Sequence, residues 1–419
     1  MSRPVGLVDP QTSNLYVEPV RYEAIDKIDL LFMIDNSRSM GDKQKLLAVA
    51  VPQLVDRLVV PRCVNRMSGE VRQRASLDEA CPAGFGPEFR AVKDIHVAVI
   101  TSSLGAHGAP TSSCSGGSPV SDRALLIPSV RGGLTSYDGS GFLAWDPEQQ
   151  LMPGGETDKG RLGQQFGDMV RAAGEDGCGF EASLESWYRF LIDPEPPLEV
   201  VIGDDGRSRV MSIDTELLAQ RERFLRPDSL VAIVMLTDEN DCSVRDEEYG
   251  YYLPSGASNM PRASSACERD PNDPCCLPCT LQSAVPEGCP AIDSDPACQR
   301  GQQLSEVEAA TNLRCFQNKR RFGYDFLYPT SRYIQGLTEL QVPRRSDGML
   351  VQNPLFKPAP GAAPRQRDMV YLAGIVGVPW QDIADDASLN GPGLRYRTAA
   401  ELTEDGRWAM LIGEPERNV

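Results

Sequence analysis

Three oxygen-bearing side chains occupy alternate positions in one short segment near the start of the chain, at Asp35, Ser37 and Ser39. A carboxylate and two hydroxyls are hard oxygen donors, which suit Mg²⁺, Ca²⁺ or Mn²⁺ better than zinc. The same spacing of Asp and Ser also occurs by chance in many loops. The segment is a more specific indication of a metal site here, because it directly follows an apolar run at 28–34 and precedes a predicted helix.

The apolar run at 28–34 predicts a buried parallel strand, since it is nearly continuous in apolar residues instead of alternating. Such a strand would deliver Asp35, Ser37 and Ser39 together at its carboxyl end. Open α/β sheets bind ligands at that edge. We expect Asp35 to face solvent there.

The segment resembles the metal-ion-dependent adhesion site of a von Willebrand factor A-type (vWA) domain. That family has Asp-x-Ser-x-Ser after its first strand, a Thr on a second loop and an Asp after its fourth strand. A second match is the apolar run at 229–236, which ends in Thr237 and Asp238. The resemblance covers about half of the chain, in pieces, and the composition and overall pattern resemble those of large extracytoplasmic bacterial vWA proteins.

The resemblance implies an α/β fold with a doubly wound, mostly parallel sheet and long cysteine-rich loop insertions. It also implies a cofactor, Mg²⁺ (or Mn²⁺ or Ca²⁺), held by Asp35, Ser37, Ser39 and Asp238. One coordination position would stay open for an acidic residue of a protein partner. The function implied is that of a metal-dependent, adhesion-type binding module.

Two positions depart from the family pattern. Arg38 stands where Gly is usual and would place a fixed cation close to the metal. Cys178 stands in the Thr position, and a thiol is a poor ligand for a hard ion. Water or Glu181 would then fill that corner. The favoured interpretation is that Cys178 is half of a disulfide, with Cys242 on the neighbouring ligand loop as its natural partner.

The remaining segments predict a core that is interrupted several times. The predicted parts are an N-terminal extension (1–27), a core (28–241) with insertions at 62–93 and 106–160, a cysteine-rich insertion (242–367), and a final core strand with a C-terminal tail (368–419). Periodicity predicts helices at 43–59, 162–173, 182–192, 214–224, 305–316 and near 331–340, and strands at 96–101, 142–145 and 369–378. Pro52 is expected to kink or shorten the first helix.

Twelve cysteines favour an oxidising compartment. Seven lie between Cys267 and Cys315, so one of these must pair outside the cluster or stay free. Zinc is the rival interpretation, since Cys276 and Cys279 have ligand spacing. Disulfides are favoured, with Cys63 and Cys81 as a plausible pair and Cys114 as the candidate for the odd one.

Charge and hydropathy narrow the classes of partner. The net charge is −17, and no basic stripe is present, which argues against nucleic acid. No stretch reaches the roughly 18 apolar residues of a membrane helix. We expect an extracytoplasmic protein, whether secreted, periplasmic or lipid-anchored, whose leader is not present in this chain; a cytosolic protein with reduced thiols is the alternative.

Nucleophilic catalysis is not indicated, because it requires a base beside the nucleophile. Of the two histidines, His96 is predicted to be a packed core residue, and His107 lies in a Gly-rich loop. We therefore expect a protein-binding module and not an enzyme. Two alternatives stay open: a structural vWA domain with a degenerate metal site, and an extracytoplasmic hydrolase with its active site in the insertions.

Overall fold

The computed structural model describes residues 27–109, 114, 121–255, 260–281, 285–378, 380–389, 393 and 395–412. The predicted N-terminal extension lies outside these residues, apart from Lys27. The strands of the described part are β1 (Lys27–Ile34), β2 (Cys63–Val64), β3 (Val71–Arg72), β4 (Gly86–Pro87), β5 (Asp94–Thr101), β6 (Leu143–Trp145), β7 (Pro197–Ile202), β8 (Ser208–Ile213), β9 (Leu230–Thr237), β10 (Gln341–Pro343), β11 (Leu350–Gln352) and β12 (Val370–Val376). Its α-helices are α1 (Gly41–Val59), α2 (Ile127–Val130), α3 (Lys159–Ala172), α4 (Ser183–Leu191), α5 (Thr215–Phe224), α6 (Ser265–Arg269), α7 (Asn318–Phe322), α8 (Thr330–Thr338), α9 (Trp380–Ile383), α10 (Ala399–Glu404) and α11 (Trp408–Ile412).

A five-stranded sheet forms the centre of the structure, with strand order β12-β9-β1-β5-β6. The first four strands in this order run parallel, and β6 pairs antiparallel with β5 at one edge. The last residue of β1, Ile34, stands level with Thr101 of β5 and Leu236 of β9. The loops after these three strands therefore begin side by side, at the carboxyl edge of a mixed α/β sheet.

Both faces of β1 are buried, because its alternate side chains point to opposite sides of the sheet. Leu31 and Met33 belong to one apolar cluster, together with Trp187 of α4. Leu30 and Phe32 belong to a second cluster, which contains the apolar side chains of α1 and α3. Burial on both sides explains why the β1 segment is apolar almost throughout.

Most predicted elements of the core are confirmed, and two expectations are wrong. Helix α1 continues through Pro52, so the proline does not shorten it. No α-helix forms at 305–316, where the buried Arg314 side chain instead donates to backbone carbonyls, including that of Ser255. The strand at 370–376 forms, but it is not buried: Leu372 is 44% and Ile375 is 50% exposed, because among the described strands β12 pairs with β9 alone, at the edge of the sheet.

The chain divides into two compact units. The described residues up to Val376 form the first, which contains the sheet and the cysteine-rich segment. The described residues from Gly377 onward belong to the second, which contains α9, α10 and α11. Within the second unit, Thr398 and Glu401 form a capping box at the start of α10. The division at Val376 leaves β12 with the sheet, so the predicted segment 368–419 spans both units.

Two predicted insertions have structure of their own. The segment at 62–93 contains a small antiparallel sheet in the order β3-β2-β4. The segment at 106–160 contains β6, which confirms the predicted short strand at 142–145 and extends the central sheet. Part of this second insertion is therefore core.

Six disulfides join all twelve cysteines: Cys63–Cys81, Cys114–Cys178, Cys242–Cys315, Cys267–Cys276, Cys275–Cys289 and Cys279–Cys298. The predicted Cys63–Cys81 pair and the disulfide state of Cys178 are confirmed. The expected Cys178–Cys242 bridge is wrong, because Cys178 is joined to Cys114. The prediction for Cys114 is wrong as well, because the cysteine of the 267–315 cluster that pairs outside it is Cys315, and its partner is Cys242. Cys242 lies in the apolar cluster that contains Phe322 and Phe326, which brings it to Cys315. Both cysteines of the Cys276–Cys279 spacing are in disulfides, so zinc does not hold them.

Candidate functional site

The candidate site lies where the loops after β1 and β9 meet the segment between α3 and α4. The loop after β1 carries Asp35, Ser37 and Ser39, and the loop after β9 carries Asp238. The backbone N–H of Asp35 donates to the carbonyl of Leu236, at 2.9 Å, which ties the two loops together at their start. The parallel register thus brings the four sequence-predicted ligands to one edge of the sheet.

Asp35 is fully buried, so the expectation that it faces solvent is wrong. Its Oδ1 accepts a hydrogen bond from the backbone N–H of Ser37, and its Oδ2 accepts one from Thr237 Oγ1, each at 2.8 Å. Burial raises the pKa of Asp35, and the hydrogen bonds from Ser37 and Thr237 act in the opposite direction. Asp35 is therefore a fixed carboxyl group at the floor of the site.

Hydroxyl groups connect the two loops above Asp35. Ser37 Oγ lies 3.1 Å from Ser39 Oγ, and Ser39 Oγ donates to Asp238 Oδ1 at 3.0 Å. Of the predicted ligand carboxylates, Asp238 is the most accessible, with its side chain 21% exposed. Its other oxygen, Oδ2, lies 3.1 Å from Nζ of Lys43, in the first turn of α1. Arg38, by contrast, is exposed.

A third carboxyl group comes from the segment before α4. Glu181 is only 3% exposed, and its carboxyl group shares a hydrogen bond with Glu239. Burial, followed by the charges of Asp35 and Glu239, raises the pKa of Glu181 to about 8. Burial and the charges of Asp35 and Asp238 also raise the pKa of Glu239. These acids thus lie close enough to oppose one another's ionisation, which a bound cation would relieve.

Cys178 does not supply a ligand. Its sulfur is bonded to Cys114, and its backbone N–H donates to Ser103 Oγ at 2.7 Å. The loop that carries Glu181 is joined to the loop after β9 by a backbone hydrogen bond from Cys242 N–H to the Glu181 carbonyl, at 2.8 Å. This bond, and not the expected disulfide, fixes the spacing of the two loops.

Asn36 supports the site from behind, a role that was not predicted from the sequence. Its Oδ1 accepts a hydrogen bond from Ser103 Oγ at 3.0 Å, and its carbonyl accepts one from the Gly177 N–H at 2.8 Å. A Cβ on Gly177 would lie 2.3 Å from Asn36 Oδ1, so only glycine allows this approach. The one sequence signal was a polar residue between Asp35 and Ser37 directly after a buried strand.

The donor set determines which ions this site fits. In the described part of the chain, no three His, Cys, Asp or Glu side chains form a group that could hold a metal ion by themselves. The ligand set assigned from the sequence combines serine hydroxyls with carboxylates. Asp35, Ser37, Ser39, Asp238 and Glu181 offer oxygen only, the donor type of Mg²⁺, Mn²⁺ and Ca²⁺.

The two histidines lie away from this set. His96 is 5% exposed and contacts the carbonyl of Phe224 through Nδ1, at 2.9 Å, and burial lowers its pKa to about 4. It is the packed core residue that was predicted. His107 is also buried, with Nδ1 2.9 Å from Asp246 Oδ1. Asp246 also accepts a hydrogen bond from Arg189, so this pair belongs to a buried ionic network beneath the loops.

Comparisons with protein-family models, curated proteins and solved structures found no match to this chain. Among the described helices, none combines the length and apolar character needed to cross a membrane. The geometry of the site and the resemblance of its motif are therefore the features of this chain that indicate a function.

Proposed function

We propose that the chain is a divalent-metal-dependent protein-binding module of the vWA type, which captures a carboxylate of a partner protein. The observation that carries the proposal is the convergence of Asp35, Ser37, Ser39 and Asp238 at the carboxyl edge of a mostly parallel sheet. Ligands of open α/β sheets bind at this edge. Two buried faces of the sheet, with helices contributing to each core cluster, support a doubly wound fold.

Each ligand residue has a separate role in this proposal. Asp35 would anchor the ion from the floor, with its orientation set by Ser37 N–H and Thr237 Oγ1. Ser37 and Ser39 would supply neutral oxygens, and Asp238 the carboxylate nearest to solvent. Glu181 would take the corner that the family gives to Thr. When bound, the ion would offer an open coordination position to the acidic residue of the partner.

The compartment proposed for this module is extracytoplasmic. Six disulfides are consistent with a secreted protein, because cytosolic reductants keep most thiols reduced. Periplasmic or lipid-anchored placement would satisfy the same requirement.

Calorimetric titration of Mg²⁺, Mn²⁺ and Ca²⁺ into the metal-stripped, oxidised protein tests the proposal. We expect saturable binding that weakens at least about tenfold in Asp35→Asn, since that change removes the anchoring charge and keeps the side-chain shape. Asp35→Ala should have the same effect. The matched control is Asp168→Asn, because Asp168 lies on the exposed face of α3 and pairs with Arg171. Unchanged binding in Asp35→Asn would show that the ion is held elsewhere.

A further inference from the structure

Lys43 contacts the accessible carboxylate of the candidate site. Its ammonium lies 3.1 Å from Asp238 Oδ2 and donates to the Ser39 carbonyl at 2.9 Å. It also lies 3.1 Å from Oδ1 of Asp42, whose side chain is 75% exposed. The same ammonium therefore touches two of the proposed ligand residues and one acid outside the set.

We infer that Lys43 is a resident counter-ion of this site, which occupies Asp238 in the metal-free protein and must leave it for a divalent ion to bind. The inference rests on the proposed function and adds a regulatory contact to it. Asp238 Oδ1 is already engaged by Ser39 Oγ, so Oδ2 is the oxygen over which the two cations compete. An ammonium held there would also repel a divalent ion a few ångströms away.

The structure also provides the place to which the ammonium moves. Lys43 is 39% exposed, so its flexible stem can swing without disturbing the core. Asp42 remains within reach when Asp238 is taken, because it already contacts the ammonium and lies one residue away on α1. Lys43 thus exchanges one carboxylate for another, and the site stays closed by an internal cation until enough divalent ion is present.

The test compares Lys43→Met with Lys45→Met by calorimetric titration of Mn²⁺ and Mg²⁺ into the metal-stripped, oxidised protein. Lys45 is exposed on the same helix, so the control removes an equal charge close to the site. We expect Lys43→Met to bind Mn²⁺ about fivefold more tightly than the parent, and Lys45→Met to bind within about twofold of it. Circular dichroism and thermal unfolding would establish that both variants are folded.

The outcomes separate this inference from the proposed function. If the parent binds and Lys43→Met binds equally or more weakly, Lys43 does not compete, and the metal site itself stands. If only Lys43→Met binds, and Asp35→Asn added to it abolishes binding, both ideas are supported, since the lysine then blocks the parent. If neither protein binds, both ideas are overturned.

Discussion

Single residues at the site combine an ionisable carboxyl group with burial, which disfavours its charged form unless a compensating partner is present. Asp35 is fully buried, Glu181 is nearly so, and the pKa of each is raised chiefly by that burial. Both acids were predicted from the sequence to lie near the site, but the side chain of Asp35 was expected to be exposed to solvent. Substitutions here are therefore expected to affect stability as well as binding.

Glu181→Gln is expected to flatten the pH dependence of stability of the metal-free protein. The pKa of Glu181 is raised to about 8 in the folded state, from an ordinary value of 4.5. The folded protein therefore binds more protons than the unfolded chain between these values, and stability falls as pH rises through this range. One pKa unit corresponds to about 1.4 kcal/mol, so a loss on the order of 3 kcal/mol between pH 5 and 8 is expected.

Urea unfolding at pH 5, 6.5 and 8 measures this effect. Glu181→Gln should lose most of the slope, and Glu222→Gln, on the exposed surface of α5, should keep it. Equal slopes in Glu181→Gln and the parent would mean that Glu181 ionises as an ordinary exposed acid.

At the scale of elements, the close packing of α1 on α3 positions the loop after β1. A Cβ on Gly163 of α3 would lie 3.1 Å from Pro52 Cα, and one on Gly167 would lie 3.2 Å from the Ala48 carbonyl. Pro52 leaves that carbonyl without its usual helical donor. The two glycines of α3 therefore allow the helices to approach closely at Ala48 and Pro52.

Gly163→Val is expected to destabilise the protein by about 2 kcal/mol or more, because a branched side chain cannot fit against Pro52 without separating the helices. Ala50→Val is the matched control, since Ala50 is exposed on α1, and should lower stability by no more than about 0.7 kcal/mol, the helix-propensity difference between alanine and a β-branched residue. Thermal and urea unfolding of both variants would measure the difference. A Gly163→Val protein as stable as the parent would contradict the close packing.

At the scale of the whole molecule, disulfides connect distant parts of the first unit. Cys114–Cys178 closes a separation of 64 residues and Cys242–Cys315 one of 73. A disulfide that closes a long loop lowers the conformational entropy of the unfolded chain. On the chain-entropy model this raises the free energy of the unfolded state by about 4 kcal/mol for each of the two disulfides. The candidate site therefore lies between two such connections, one on the segment that carries Glu181 and one on the loop after β9.

Thiol titration of the denatured, unreduced protein is expected to find no free thiol, and twelve per chain after reduction. Protein made in an oxidising compartment is the proper sample, since the prediction concerns the disulfide-bonded state. Reduction should also lower the midpoint of urea unfolding. Twelve thiols before reduction in such a sample would contradict the pairing and remove the support for an extracytoplasmic compartment.

From the amino-acid sequence alone, the five strands of the central sheet and the five longest helices of the described residues could be predicted, because buried parallel strands are continuously apolar and amphipathic helices have a 3.6-residue period. The position of Asp35, Ser37 and Ser39 at a strand end followed from the same apolar run, whereas Asp238 was added by the family resemblance. The pairing of Cys63 with Cys81 was also predictable from the sequence, since that contact is local in the chain.

The remaining features depend on packing between segments that are far apart in sequence, so they became visible in the folded chain and not in the sequence. Folding buried Asp35 beneath Thr237, joined Cys178 to Cys114, and placed Asn36 against Gly177. It left β12 exposed at the edge of the sheet, although its sequence resembles that of a central strand. An apolar run specifies that a strand forms, whereas its neighbours in the sheet decide how much of it is covered.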